Sequence, residues 1–504
     1  MHFGRSAEFA GVPQLHQDSL ILSSHPCEGF GLTSRPTLRS QCDPHDRGGF
    51  ARRDHGNRGD RVVSVIRRLP TWIRRLLLGF LAFFLVVMCV LMVDRAERGS
   101  GQYDDFTEFS RDLVFNRINV YQAYDWNTTT IGKYPPFFAA VYAPLALLST
   151  VAGATIWFWL NVGLSFWICF IGARTVARLS GTPEDKISAL GAGAWAIPLA
   201  LASGLFLSNI ETSQVNIAML ALIVLAVSEY SKRRDTSAGL LLGVATAVKL
   251  TPGLFVAYFA WKRQSKLFAW SVVGVAICWG VLVPLMLGPS RYVEVMGSWL
   301  ERLLPFVTDG TIAEGQDFSG FRHTNQSMSA VFYRFFTATP VGGGREGWYL
   351  NVVSLSHEAA SAVLRVLDLM VLAALAWLTR AAANGRRDPR IPFEIAIVGI
   401  ATLLLSPISW INHYVILTLA YLAVIRFIRV RKQADPVRRT AVRVLVVSTA
   451  LMILASRPLQ AMSFPFFGML VLTGLVMWMW RIESREIEQT SLARARGSPA
   501  LTGA

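Results

Sequence analysis

Long charge-free runs alternate with short charged clusters along most of the chain, a pattern that predicts helices crossing a lipid bilayer. The first run, Leu76 to Val93, follows Arg67, Arg68, Arg74 and Arg75 and predicts an uncleaved signal anchor with a cytoplasmic N-terminus. Further apolar segments lie at 136–150, 153–173, 187–207, 214–229, 237–248, 251–261, 267–287, 361–380, 391–410, 413–428, 440–456 and 463–480. A full crossing takes about 20 apolar residues. Two long polar stretches, 95–135 and 289–358, interrupt the runs and are predicted as outer loops.

Basic clusters set the expected orientation. Lys232-Arg233-Arg234, Lys262-Arg263, Arg386-Arg387 and Arg429 through Arg439 should all be cytoplasmic. That leaves Asn209–Gln214, Trp410–His413 and Arg457–Ser463 outside, and the tail at 482–504 inside. Segment 136–150 breaks the alternation unless it is re-entrant or interfacial. Segments 237–248 and 251–261 are short and broken by Pro252, which fits a hairpin entering from the cytoplasmic side. The expected fold is an all-α polytopic integral membrane protein with about 10–13 membrane helices, occupying 74–481. Residues 1–60, polar and without periodicity, are predicted to be a disordered extension.

Composition agrees. The 504 residues are 53% hydrophobic and 16% charged, against roughly 25% charged in soluble domains. The net charge of +16 sits at the ends of apolar segments, which assigns it to topology and anionic lipid and argues against nucleic acid as a partner. Five cysteines form no metal-ligand cluster. No GxxxxGK[ST] loop is present, which counts against direct ATP-driven transport, and Gly342-Gly343-Gly344 reads as a flexible bend.

Candidate chemistry concentrates on the predicted outer face. Asp104 and Asp105 follow the first span, where a carboxylate can take a proton from an acceptor hydroxyl, although a solvated acidic loop is the simpler reading. Gln214 and Asn216 are amides at membrane depth that need partners, in a cavity or between helices. Lys249, flanked by apolar residues, must snorkel, find a distant acid or meet a lipid phosphate, and its predicted place is nearer the cytoplasmic side. Arg322 suits a phosphate and His323 can donate to one or move a proton. Asn325 and Gln326 follow them, and Asn412 and His413 sit at an outer boundary beside Trp410 and Tyr414.

Taken together, Asp105-Phe106, Tyr134-Pro135-Pro136, Gln214-Val215-Asn216, Ala247-Val248-Lys249-Leu250-Thr251-Pro252, Asn325-Gln326-Ser327 and Ser406-Pro407-Ile408-Ser409-Trp410 with His413 resemble the polyprenol-phosphate-mannose-dependent mannosyltransferases of glycosyltransferase family 87. The resemblance covers about Arg74 to Trp480. It implies a C-type glycosyltransferase fold, with an outer-face site in a multi-pass cell-membrane protein. The implied donor is a polyprenyl-phosphate sugar, mannose by the resemblance, and the implied acceptor a glycolipid or glycan. Asp105, with Asp104 as its neighbouring alternative, takes the place of the catalytic acid, and His323 that of a functional histidine. Arg322, Asn325, Gln326, Gln214, Asn216, Lys249 and His413 are the expected substrate contacts. No metal and no cofactor are expected. Two departures stand out: Asn412-His413 stands where many members have paired histidines, and Glu211-Thr212-Ser213-Gln214 stands where a Gly-Gln pair is usual. The competing class is a transporter or flippase, which also needs buried polar groups and Pro-broken helices.

Overall fold

The computed structural model describes residues 70–99, 102–124, 133–308, 322–341, 348–381, 385–453 and 456–495. The predicted N-terminal extension at 1–60 and the glycine run at 342–344 lie outside the described residues. The principal helices are α1 (Thr71–Glu97), α2 (Gln102–Val114), α3 (Phe138–Ala146), α4 (Thr150–Leu179), α5 (Gly193–Glu211), α6 (Asn216–Ser231), α7 (Asp235–Val248) and α8 (Gly253–Trp261). They continue as α9 (Ser265–Leu287), α10 (Pro289–Thr308), α11 (Met328–Phe336), α12 (His357–Thr379), α13 (Ile391–Leu404), α14 (Ile411–Val430), α15 (Pro436–Ile453) and α16 (Phe464–Ala495). Helix α9 carries a π turn at Cys278–Leu282, and α14 opens with a 3₁₀ stretch at Ile411–Leu417.

Among the described residues, seven helices are long and apolar enough to cross a bilayer, and α6, α7 and α13 are shorter apolar helices. Their outward faces are hydrophobic: Leu76, Phe80 and Phe83 of α1 are all more than 60% exposed. A soluble monomer rarely tolerates so continuous an apolar surface, whereas lipid demands it. The all-α, polytopic membrane expectation holds.

Helix α14 is the central pillar, almost wholly buried among α4, α5, α13 and α16. Its Arg426 meets Glu483 of α16 at 3.0 Å. The basic clusters converge on one end of the bundle. Arg386 bonds Asp235 at 2.8 Å and the Tyr230 carbonyl at 2.9 Å, and Lys262 donates to the carbonyls of Thr379 and Ala381. The opposite end carries α2, α3, α10 and α11.

Helix α3 has nine residues and an internal Pro144, about 14 Å of helix and too short to cross. Helices α7 and α8 form the expected hairpin. Lys249 leaves the helix with φ −149° and ψ 131°, and Pro252 begins α8. Thr251 precedes that proline, a position that disfavours helix. The hairpin packs closely on α9 because glycines face the contact: a Cβ on Gly243 would lie 2.4 Å from the Ser271 carbonyl oxygen. At its basic end, Lys262 pairs with Glu394 of α13 at 3.0 Å, and Tyr258 donates to the same carboxylate at 2.8 Å.

Much of the two predicted outer loops is helical. In α2, Tyr103, Phe106, Phe109, Ser110 and Leu113 are buried, a helical i, i+3, i+4 stripe. Helix α10 buries Val295 and Trp299 and joins the first polar stretch through Asn119, which donates to Glu294 at 2.9 Å and Ser298 at 3.1 Å. The apolar segment 391–410 ends its helix at Leu404. The Pro407 carbonyl then accepts from Asn325, Ser327 and Ser329, and Trp410 forms an antiparallel bridge with Asn325.

Candidate functional site

At the end opposite the basic clusters, a cavity of about 140 Å³ opens between the segment before α3, the turn after α7, α10 and the start of α14. Lys133, Tyr134, Gln214, Lys249, Trp410 and His413 line it, with Thr251, Leu303 and Ser406 completing the polar and apolar wall. A smaller adjoining space of about 80 Å³ shares Lys249, Thr251, Ser406 and His413 and adds Asn216.

Lys249 reaches this cavity because α7 runs for 14 residues from the basic end, about 21 Å. Lys249 thus stands at the end of the bundle away from Lys232-Arg233-Arg234, where the hairpin tip meets the start of α6. Lys249 Nζ donates to Asn216 Oδ1 at 2.6 Å and lies 5.7 Å from the Tyr134 ring centroid. Asn216 Nδ2 donates in turn to the Asn412 carbonyl at 3.3 Å.

The turn before α6 is held by aromatic donors. Tyr142 Oη and Trp157 Nε1 both donate to the Ser213 carbonyl, at 2.9 and 3.1 Å. Ser213 has φ +55°, the left-handed region glycine occupies at least cost. Gln214 then accepts from Tyr134 Oη at 3.1 Å and donates to Gln102 at the start of α2.

That link places the first turn of α2 at the cavity rim. Gln102, Asp105 and Phe106 follow i, i+3, i+4 spacing and share a helix face. Phe106 packs edge-on to Tyr134, centroids 5.7 Å apart. Asp105 is exposed and Asp104 partly buried, with its Oδ2 buried and without a hydrogen-bond partner. Burial, then Asp105 and Glu108, raise the Asp104 carboxyl to about 6. Desolvation by the protein around it, then Glu108, also raises the Asp105 carboxyl. Across the cavity, burial lowers the Lys133 amine to about 8.

His413 Nδ1 lies 3.2 Å from the Ile408 carbonyl. A carbonyl only accepts, so Nδ1 carries the proton and a neutral ring keeps Nε2 as an acceptor. Its ring stacks on Trp410 at 5.8 Å.

The remaining predicted residues lie apart from this wall. Asn325 Nδ2 donates to the Pro407 carbonyl at 3.0 Å, while its Oδ1 accepts from the Ser327 and Ser409 amides. Gln326 Nε2 donates to the carbonyls of His323 and Gln460. Asn325 ties the segment after Arg322 to the wall-bearing segment 406–410, and Gln326 ties it to Gln460. Buried Arg334 braces the same segment, donating to the Arg322 and Asn325 carbonyls and to Ser463 Oγ. Arg322 and His323 are half-buried within it and are not cavity-lining residues. Sequence reasoning missed Lys133 as a cavity cation; its signal was a lysine directly ahead of Tyr134-Pro135-Pro136 and an apolar helix.

Two cations and several neutral polar groups thus face a small cavity at the end of a membrane bundle, with an acidic helix at its rim. Such a cavity suits a phosphate linked to a polar group. Comparison with known proteins agrees. A polyprenol-phosphate-mannose-dependent alpha-(1-2)-phosphatidylinositol pentamannoside mannosyltransferase of Mycolicibacterium smegmatis is 28% identical over 287 residues, covering 56% of this chain and 58% of that protein. Its Mycobacterium tuberculosis namesake is 28% identical over 290 residues, covering 56% and 55%. A phosphatidylinositol mannoside mannosyltransferase of M. smegmatis, also polyprenol-phosphate-mannose-dependent, is 25% identical over 305 residues, covering 56% and 59%. The matches therefore span under two thirds of each relative's length. The sequence profile of glycosyltransferase family 87 matches residues 133–407, from the first cavity lysine to Pro407 and so beyond the acids of α2. Over more than half its length, the chain carries that family's pattern, and it belongs to glycosyltransferase family 87.

Proposed function

We propose that this chain transfers a mannosyl group from a polyprenyl-phosphate donor to a hydroxyl of a glycolipid or glycan acceptor. The observation that carries this reading is the cavity faced by Lys133 and Lys249, with His413 between neutral polar groups. The relatives' names supply the mannosyl donor and, as acceptor kind, a phosphatidylinositol mannoside. Residues 74–481 act as one membrane-embedded unit in this reading. Its acid-bearing end faces outward, and the basic end faces the cytoplasm with both termini.

Asp105 serves as general base, with Asp104 as the neighbouring alternative. The acceptor oxygen attacks the anomeric carbon as its proton passes to the carboxylate. The bond from that carbon to the phosphate oxygen breaks, and polyprenyl phosphate leaves with the electron pair. A single displacement inverts the anomeric centre, so an α product requires a β-linked donor. The leaving phosphate is already anionic, and preorganised donors lower the barrier by meeting the charge that develops on it. Lys249 and Lys133 take that role here, and His413 Nε2 accepts from a sugar hydroxyl. Arg322 and His323 reach the reaction through the segment that Asn325, Gln326 and Arg334 hold. No step in this scheme uses a metal or a cofactor.

The test is transfer by purified protein with labelled polyprenyl-phosphate mannose and a phosphatidylinositol mannoside acceptor. Transfer from the lipid donor supports the reading, and a requirement for a nucleotide sugar contradicts it.

A further inference from the structure

Two acids deep in the bundle carry their own cations: Glu394 meets Lys262 at 3.0 Å, and Glu483 meets Arg426 at 3.0 Å. Asp368 is different. It stands midway along α12, one of the helices long and apolar enough to cross a bilayer, and so at the depth furthest from water on either side. Its side chain is partly buried, and among the described residues it has no hydrogen bond and no ion pair. An ionisable group at that depth is costly and calls for a partner. Aspartate is too short to reach the interface from the middle of a span.

Helix α12 packs on the bundle along one stripe. Ala360, Ser361, Leu364, Leu375 and Leu378 are buried, against α11 and α13. A 2.7 Å hydrogen bond between Tyr333 of α11 and Ser361 fixes the rotation of the helix. The rest of its circumference is bare: Val366, Leu369 and Met370 are 56%, 66% and 59% exposed. Asp368 lies at the border between the packed stripe and the bare face. Lipid tails satisfy the apolar side chains there but offer no hydrogen-bond donor. A neighbouring protein helix offers both.

The chemistry of that neighbour is written on α12 itself. Arg365, Asp368, Leu372 and Ala376 recur at three, four and four residues and share one helix face. Arg365 and Leu372 are exposed. Two copies of α12, side by side in the same membrane orientation and related by a two-fold axis, bring these faces together. Arg365 of each copy then lies three residues, about 4.5 Å of helix, from the level of Asp368 in the other, an offset the long arginine side chain spans. One self-complementary contact gives both carboxyls a cation at once, and Ala376 lets the two backbones approach. We infer that the bare face of α12 is the interface for a second copy of this chain, closed by two reciprocal Arg365–Asp368 pairs.

Disulfide trapping of the full-length protein in membranes tests this. Leu372→Cys is expected to give a covalent dimer on mild oxidation. Wild type and Leu285→Cys, which is 76% exposed on α9, should remain single chains. Adding Asp368→Leu to Leu372→Cys makes the helix more apolar, so insertion is preserved, and should lower the trapped dimer at least ten-fold. No trapping at position 372, equal trapping at 285, or trapping that survives Asp368→Leu would overturn the proposal. A second measurement uses charge. Arg365→Glu and Asp368→Lys each place like charges across the two-fold axis, so each variant alone should be monomeric by single-molecule subunit counting. Co-expressed with different tags, they form only opposite-charge pairs and should purify together as a mixed dimer. Two folded variants that fail to associate would refute the pairing, and the cysteine trap decides alone where a charge variant fails to accumulate. A monomeric wild type whose position 372 crosslinks to a different polypeptide also refutes the second-copy assignment.

Discussion

Lys249 Nζ and Asn216 Oδ1 lie 2.6 Å apart, joining the end of one short helix to the start of another 33 residues earlier. The bond fixes a cation at the tip of a hairpin, where the chain has just left helical geometry. Asn216 is itself held by the Asn412 carbonyl, the residue before His413. Three chain segments thus converge on one ammonium group, which a flexible surface lysine would not achieve.

Lys249→Met should reduce kcat/KM for the lipid donor by about 10–150-fold, the range for losing a hydrogen bond to a charged group worth about 1.5–3 kcal/mol. Thermal stability should hold, because the substitution removes a buried cation and keeps the apolar stem. Asn216→Leu should cost less, as the lysine survives without its orienting partner. Initial-rate kinetics over a donor series separates the two.

The pH profile of kcat/KM should be bell-shaped. A base must be ionised, so activity falls as pH drops through a carboxyl value above the ordinary carboxylate range. Desolvation raises both acids, and Glu108 adds to each, with Asp104 reaching about 6. Glu108→Gln should therefore move the acid limb to lower pH. On the alkaline side, burial holds Lys133 near 8. Its charge is present below that pH and lost above it, so donor binding weakens as pH rises. Lys133→Gln should remove that limb.

Gly243→Val should destabilise the α7–α9 contact, since its Cβ would stand 2.4 Å from the Ser271 oxygen and 2.8 Å from Gly274 Cα. Overpacking of this kind costs about 1–3 kcal/mol. A lowered unfolding temperature in detergent, with weaker donor binding, is the expected pair of results.

Lys262→Met should leave the Glu394 carboxylate buried without its cation, with Tyr258 still donating to it. Breaking one side of a buried pair costs about 3–5 kcal/mol. Adding Glu394→Leu should recover most of that loss. A double-mutant cycle on thermal stability measures the coupling.

The crossing helices were readable because a long apolar run is a property of local sequence. The α7–α8 hairpin was also legible, from the length of its segments and Pro252. Its tip was not: the depth of Lys249 depends on Asn216 and Tyr134, far away in the chain. Helix α2 was read as loop because its buried stripe of Tyr103, Phe106, Phe109 and Leu113 is interleaved with acids. The Asn325–Trp410 bridge joins residues 85 positions apart, and no local pattern sets that register. The resemblance motifs named most of the converging residues, while only the packed structure divides them between cavity wall and supporting bonds.

Transfer kinetics of Asp105→Asn addresses the central claim most directly. With polyprenyl-phosphate mannose as donor, purified wild-type protein should transfer the sugar. Asp105→Asn should lose that activity by about 100-fold or more, in keeping with removal of a general base, while donor KM stays nearly unchanged. Wild-type rates in Asp105→Asn would contradict the account.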